Sequence, residues 1–154
     1  MKHYIIDGNN LIGKISLLKN TQQKDKQASR EKLSFMIERF FQTKKAKISL
    51  HFDGFANLPI KTSKTKIIYS ENRTADEKIK QEIENSKSRT SLIIVSSDNG
   101  IKDFARVCSC EVLLSEDFAK ELQNNKSENE ESEKIKSINN KESNEEFKKL
   151  FDEK

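Results

Sequence analysis

The chain has 154 residues, enough for one domain with a core of its own. Hydrophobic residues make up 33% and charged residues 35%, so part of the chain adds nothing to that core. Residues 123–154 carry a net charge of −2 against +4 for the whole chain, which leaves residues 1–122 at +6 and suits that body to a polyanionic partner such as nucleic acid. No apolar run approaches the roughly 20 residues of a membrane span, and the opening MKHYIIDGNN places Asp7 where a leader peptide is still apolar. Cys108 and Cys110 are too few and too close for a secreted disulfide framework, so a cytoplasmic location is expected.

In chain order, the first expected strand is Tyr4–Ile6. A long helix follows, with Leu33, Met36, Ile37, Phe40 and Phe41 on one face, and then a strand over Ile48–Phe52. The stretch from Asp53 to Thr65 has no helical stripe. With Pro59 and the basic residues Lys61, Lys64 and Lys66 it reads as an exposed loop beside an edge strand. A third strand, Ile67–Tyr69, leads into a helix whose start is marked by the capping-box pair Thr74 and Glu77. The fourth strand is Leu92–Val95. The apolar repeat Ile101, Phe104, Ala105, Cys108 then predicts a helix with Cys108 in the core. A fifth strand over Val112–Leu114 precedes a helix bearing Ser115, Phe118, Ala119 and Leu122 on one side.

The strands are near-continuous in Ile, Val, Leu and Phe, as expected when both faces are covered. Strand alternating with helix predicts an α/β domain over residues 1–122: a mostly parallel sheet of about five strands with helices on both faces. Residues 123–142 are mostly Asn, Lys, Ser and Glu and are expected to stay disordered. Within that 123–154 extension, Ser143 and Glu146 form a second capping box before Phe147, Leu150 and Phe151, which predicts a short helix over 143–154.

Asp7 follows the first strand, Asp53 the second and Asp98 the fourth, while Asp76 lies in the first turn of the helix after the third. In a parallel sheet all strand carboxyl ends share one edge, and ligands bind there, where strand order reverses. Singly, each acid suits a turn or a helix start. Together, four carboxylates from four segments would repel one another unless a cation compensates, and hard Mg²⁺ or Mn²⁺ prefers such an all-oxygen set. Metal held in this way activates water and stabilises a leaving phosphodiester oxygen. His3 and His51 lie within strands and read as packed or half-exposed. No phosphate-binding glycine loop and no nucleophile elbow is present.

These residues also resemble a known family. The string Ile5-Ile6-Asp7-Gly8-Asn9-Asn10-Leu11-Ile12-Gly13 is similar to the opening of the YacP-like branch of the NYN domains, relatives of the PIN nucleases. The similarity continues in order through Ala28-Ser29-Arg30-Glu31-Lys32-Leu33, His51-Phe52-Asp53, Tyr69-Ser70, Thr74-Ala75-Asp76, Ser96-Ser97-Asp98 and Leu114-Ser115, with Phe118 to Leu122. It spans about residues 3–122. Asn9 departs from it, standing where an aromatic residue is often found.

The resemblance implies a PIN-like fold and a divalent-metal endoribonuclease, in a branch whose bacterial members are associated with messenger RNA cleavage on the ribosome. It places metal-binding carboxylates at Asp7, Asp76 and Asp98, an orienting polar residue at Asn10 and an accessory acid at Asp53. The expected partner is RNA, tracked by basic residues around the mouth, Lys14, Lys61, Lys64 and Lys66. The rival expectation is a catalytically silent PIN-like module that docks RNA or a ribosome, which the full set of acids disfavours.

Overall fold

A computed structural model of the chain describes residues 1–124, so the expectations for the rest of the 123–154 extension lie outside the described residues. Five strands, β1 (Lys2–Asp7), β2 (Ala46–Phe52), β3 (Thr65–Tyr69), β4 (Leu92–Val95) and β5 (Glu111–Leu113), form one sheet in the order β3-β2-β1-β4-β5. Every pairing is parallel, and Asp7 stands opposite His51 while Ile6 stands opposite Val95. The chain therefore builds outward from β1 in one direction and then returns to its other side. The reversal falls between β1 and β4.

Helices cover both faces. The first face carries α1 (Gly8–Ile12), α2 (Ser16–Lys24), α3 (Lys26–Phe41) and a final helix, α6, over 115–124. There Ile6, Leu50, Phe52 and Val95 pack with Leu11, Leu33, Phe41 and Phe118, all fully buried. Burying side chains of this size contributes roughly 1.5–3 kcal/mol each. The opposite face carries α4 (Ala75–Asn85) and α5 (Asn99–Val107), whose Ile79, Ile83, Ile101 and Ala105 close over Ile5, Leu92 and Ile94.

Two short helices, α1 and α2, stand where the sequence pattern gave no element. Gly8 explains how α1 sits directly on the sheet. A Cβ there would lie 2.6 Å from the His51 carbonyl oxygen and 2.7 Å from the Phe52 ring, so only glycine permits the approach.

The stretch between β2 and β3 is the expected non-helical connection, and it is strapped to α3. Gln27 Nε2 donates to the Leu58 carbonyl at 3.0 Å, Arg30 donates to the carbonyls of Asp53 and Phe55, and Glu38 accepts from the Ser63, Lys64 and Thr65 amides.

The core cysteine also differs from expectation. Cys108 is half-buried at the end of α5, whereas Cys110 is buried against Ile5 and Ala105. Ser109 takes φ 65°, and the amides of Ser109 and Cys110 donate to the carbonyls of Arg106 and Ala105. That is a Schellman closure, and it turns Cys110 rather than Cys108 inward. No helix among the described residues is long and apolar enough to cross a membrane.

Candidate active site

Strand direction brings the expected acids together. Asp7, Asn9, Asn10, Asp53, Asp76 and Asp98 line one cleft of about 270 Å³ at the carboxyl edge of the sheet, on both sides of the β1–β4 reversal, with Thr74, Ala75 and Ile101 completing its wall. Asp7 and the buried Ser49 and His51 occupy alternate positions of β1 and β2, so they face the α4–α5 side, and Asp53, just past the end of β2, reaches the start of α4. Helix starts deliver the other two acids. Thr74 caps α4 by accepting from the Glu77 amide at 3.1 Å, which sets Asp76 in the first turn. Asp98 caps α5 by accepting from the Ile101 amide at 3.0 Å.

Each acid is held differently. Asp7 is buried, with 7% of its surface exposed. Burial raises its carboxyl above the ordinary carboxylate value, and Asp53 and Asp98 push the same way. The Ser96 hydroxyl, donating to Oδ2 at 3.0 Å, and the Asn10 amide pull in the opposite direction without winning. Asp53 is exposed but fixed at both ends: its amide donates to Asn9 Oδ1 at 2.8 Å, and its Oδ1 accepts from the Ala75 amide at 2.8 Å. It thus joins β2 to the start of α4. Asn10 Oδ1 accepts from the Ser97 amide at 3.0 Å, tying the β1 and β4 ends across the reversal. Asp76 Oδ1 is buried without a hydrogen-bond partner among the described residues, although the Lys80 ammonium stands 3.3 Å away.

The arrangement suits a hydrated hard cation better than a closed cage. Among the described residues no three His, Cys, Asp or Glu side chains converge tightly enough to enclose a metal. Mg²⁺ keeps several waters and is usually held through one or two carboxylates plus substrate phosphate, so a closed protein cage is not required. The donor set is all oxygen, Asp76 Oδ1 has only the Lys80 ammonium beside it among the described residues, and a cation would compensate the buried Asp7. The residues present therefore fit the metal.

The basic residues divide. Lys14 and Lys102 do not line the cleft, but their charges assist the Ser97 hydroxyl, beyond the end of β4, in holding the Glu116 carboxyl below its ordinary value. Lys61, Lys64 and Lys66 are not brought to the cleft. Lys64 Nζ donates to the carbonyls of Phe41 and Lys44, closing the end of α3, and Lys66 pairs with Ser49 near the start of β3. That is the opposite edge of the sheet, about 13 Å from the carboxyl end of a five-residue strand. Lys61 lines a separate hollow of about 630 Å³ between α3 and the strap. Asp103 lies on the exposed side of α5 beside Arg106.

Several site partners escaped the sequence reading. Ser96 both donates to Asp7 and accepts from the Asp98 amide at 3.1 Å, and the signal for it is its place in the Ser96-Ser97-Asp98 string directly after a strand. Behind the cleft, Glu82 on α4 accepts from His51 Nε2 at 2.7 Å and from Ser49 Oγ at 2.6 Å, with His3 Nε2 at 3.3 Å. Burial alone would raise the Glu82 carboxyl, but the hydrogen bonds from His3, His51 and Ser49 outweigh it and hold the group far below the ordinary carboxylate range. This network pins the helix that carries Asp76 to the sheet that carries Asp7.

A family model for the YacP-like NYN domain matches residues 4–154. The chain belongs to that family. Its fold is the PIN-like nuclease fold of those domains. Rae1 (YacP) from Bacillus subtilis superimposes with a TM-score of 0.74 at 19% identity, over 99% of this chain and 93% of that one. A point variant of the same protein gives 0.71 at 19% identity, over 95% and 89%. Among curated proteins none matches.

Proposed function

We propose that this chain is a Mg²⁺- or Mn²⁺-dependent endoribonuclease that hydrolyses RNA phosphodiester bonds at the Asp7–Asp76–Asp98 cleft. The observation that carries the reading is the convergence of these acids, with Asp53 and Asn10, at the topological reversal of a parallel sheet. Helix starts also gather acids at this edge, as Asp98 does on α5, but a buried Asp7 beside two further carboxylates costs stability unless a cation offsets it.

Asp7, Asp76 and Asp98 would hold the metal, which supplies an activated water and neutralises charge on the scissile phosphate. Asn10 keeps the β1 and β4 ends in register, and Asp53 sets the start of α4 relative to β2. We assign backbone phosphates of the incoming strand to Lys14 and Lys102, whose charges act on Glu116 beside Ser97. By the resemblance to the YacP-like branch, the substrate we propose is messenger RNA on the ribosome, in the cytoplasm. The test is to incubate the pure protein with end-labelled RNA in Mn²⁺, Mg²⁺ or EDTA, with and without ribosomes. Internal cleavage that requires the metal supports the reading. RNA or ribosome binding without cleavage under every condition supports the silent docking module instead.

A further inference from the structure

The turn that follows Asp53 is fixed far more firmly than an exposed loop requires. The Asp53 amide is held by Asn9, the Asp53 carbonyl by Arg30, the Gly54 amide by Ser70 Oγ at 2.9 Å, the Gly54 carbonyl by the Glu71 amide at 2.8 Å and the Phe55 carbonyl by Arg30 at 3.0 Å. Gly54 supplies the φ of 85° that the turn demands. Arg30 is itself immobilised, 3% exposed and with its guanidinium 5.3 Å from both the Phe52 and Tyr69 ring centres.

What this rigid turn presents is Phe55, with 58% of its surface in solvent. The fixed backbone keeps a large aromatic out of the core, two residues from an acid of the cleft. A cation stands beside the same turn: the Lys26 ammonium lies 3.8 Å from the position of a Cβ on Gly54, the residue before Phe55. An exposed ring on a fixed turn that also carries an ammonium offers the pairing that single-stranded nucleic acid uses, a base on the ring and a phosphate on the cation.

We propose that Phe55 is a stacking platform for one unpaired base of the substrate, with Lys26 meeting the adjacent phosphate, so that the strand enters the cleft over its Asp53 side. The proposal rests on the nuclease reading for the identity of the strand but is tested by binding alone. Phe55 is a positioning residue here, because it lies outside the set of acids.

The chain contains no tryptophan, so Phe55→Trp introduces a single tryptophan, excited selectively over Tyr4 and Tyr69, at the platform. The probes are a dye-labelled, unstructured 12-nucleotide RNA and an abasic sugar-phosphate oligomer of equal length, both with full-length protein in EDTA. Phe55→Ala should weaken RNA binding between about 5- and 150-fold, the range for one stacked base, and leave abasic binding within about twofold. RNA should quench the Phe55→Trp emission and the abasic oligomer should not. Loss of both probes in equal measure, an unquenched reporter on bound RNA, or dissociation of a wild-type oligomer by Phe55→Ala would each overturn the proposal, the last by making Phe55 a protein contact. Failure of wild-type protein to bind RNA in EDTA overturns the platform, and the nuclease reading falls with it only where RNA also stays uncleaved in Mn²⁺ and Mg²⁺. Cleavage with an unaltered KM for Phe55→Ala removes the platform alone, whereas intact stacking without cleavage removes only the nuclease.

Discussion

Asp7→Asn separates a carboxylate kept for chemistry from one kept for folding. In the native chain Asp7 is 93% buried, receives the Ser96 hydroxyl at 3.0 Å and shares the cleft with Asp53 and Asp98. Asparagine is isosteric and retains an acceptor for Ser96, so the substitution exchanges a charge-assisted hydrogen bond for a neutral one, a loss of about 1 kcal/mol. Against that, it removes a desolvated charge and its repulsion by two neighbours. The raised carboxyl of Asp7 shows that these outweigh the hydrogen bonds. An acid whose folded-state pKa lies above its unfolded value favours the native state only while protonated, and it withdraws stability as pH rises through the folded value. Near neutral pH the metal-free variant should therefore be as stable as the wild type or up to about 2 kcal/mol more stable, a rise in Tm of up to roughly 4–8 °C for a chain of this size. Thermal unfolding in EDTA, followed by circular dichroism, reads this directly. Cleavage activity should be lost in the same variant. A fall of more than about 1 kcal/mol in metal-free stability would make Asp7 a structural group and refute the reasoning.

Further outcomes follow from individual contacts. Glu82→Gln should cost about 1–3 kcal/mol near neutral pH. Because the Glu82 carboxyl is depressed, its contribution is complete above the ordinary value of 4.5 and fades as pH falls, so urea titrations of the two proteins should converge in strong acid. Gly8→Ala should destabilise by about 1–3 kcal/mol or abolish soluble expression, since the new methyl meets the His51 carbonyl at 2.6 Å and backbone cannot retreat. Lys64→Ala should lower Tm, by the loss of about 0.5–1.5 kcal/mol at the end of α3, without altering the salt dependence of RNA affinity. Lys14→Ala combined with Lys102→Ala should instead flatten that dependence, by about 0.7 in slope for each phosphate contact removed.

Much of the cleft was legible because two periodicities decide it. Apolar runs such as Ile48–Phe52 and Leu92–Val95 identify strands buried on both faces, and once they are parallel, Asp7, Asp53 and Asp98 must reach one edge whatever else the chain does. What escaped depends on contacts between segments far apart in sequence. The five-residue α1 has too few residues for a periodic signal and exists because Gly8 lets it rest on β2. Lys64 looked like part of a free basic loop, but Glu38 draws that loop back over α3 and places its ammonium on the Phe41 carbonyl. Glu82 sits among charged residues on a weakly apolar helix. Only the alternation of Ser49 and His51 on β2, polar groups on a buried face in need of a partner, hinted that α4 would supply a carboxylate. Cys110 turned inward because Ser109 accepts a left-handed conformation, which the apolar repeat ending at Cys108 does not encode.

The central claim is that the acids of the cleft act together on a cation. Isothermal titration of Mn²⁺ into full-length wild type, Asp76→Asn and Asp98→Asn, each first shown to unfold at or above the wild-type temperature in EDTA, measures that cooperation without reference to RNA. The account predicts saturable binding to the wild type, weakened at least tenfold in each variant, with Mn²⁺ raising the Tm of the wild type alone. Equal Mn²⁺ binding by all three proteins, or none by the wild type in the presence or absence of a short uncleavable RNA, would contradict it.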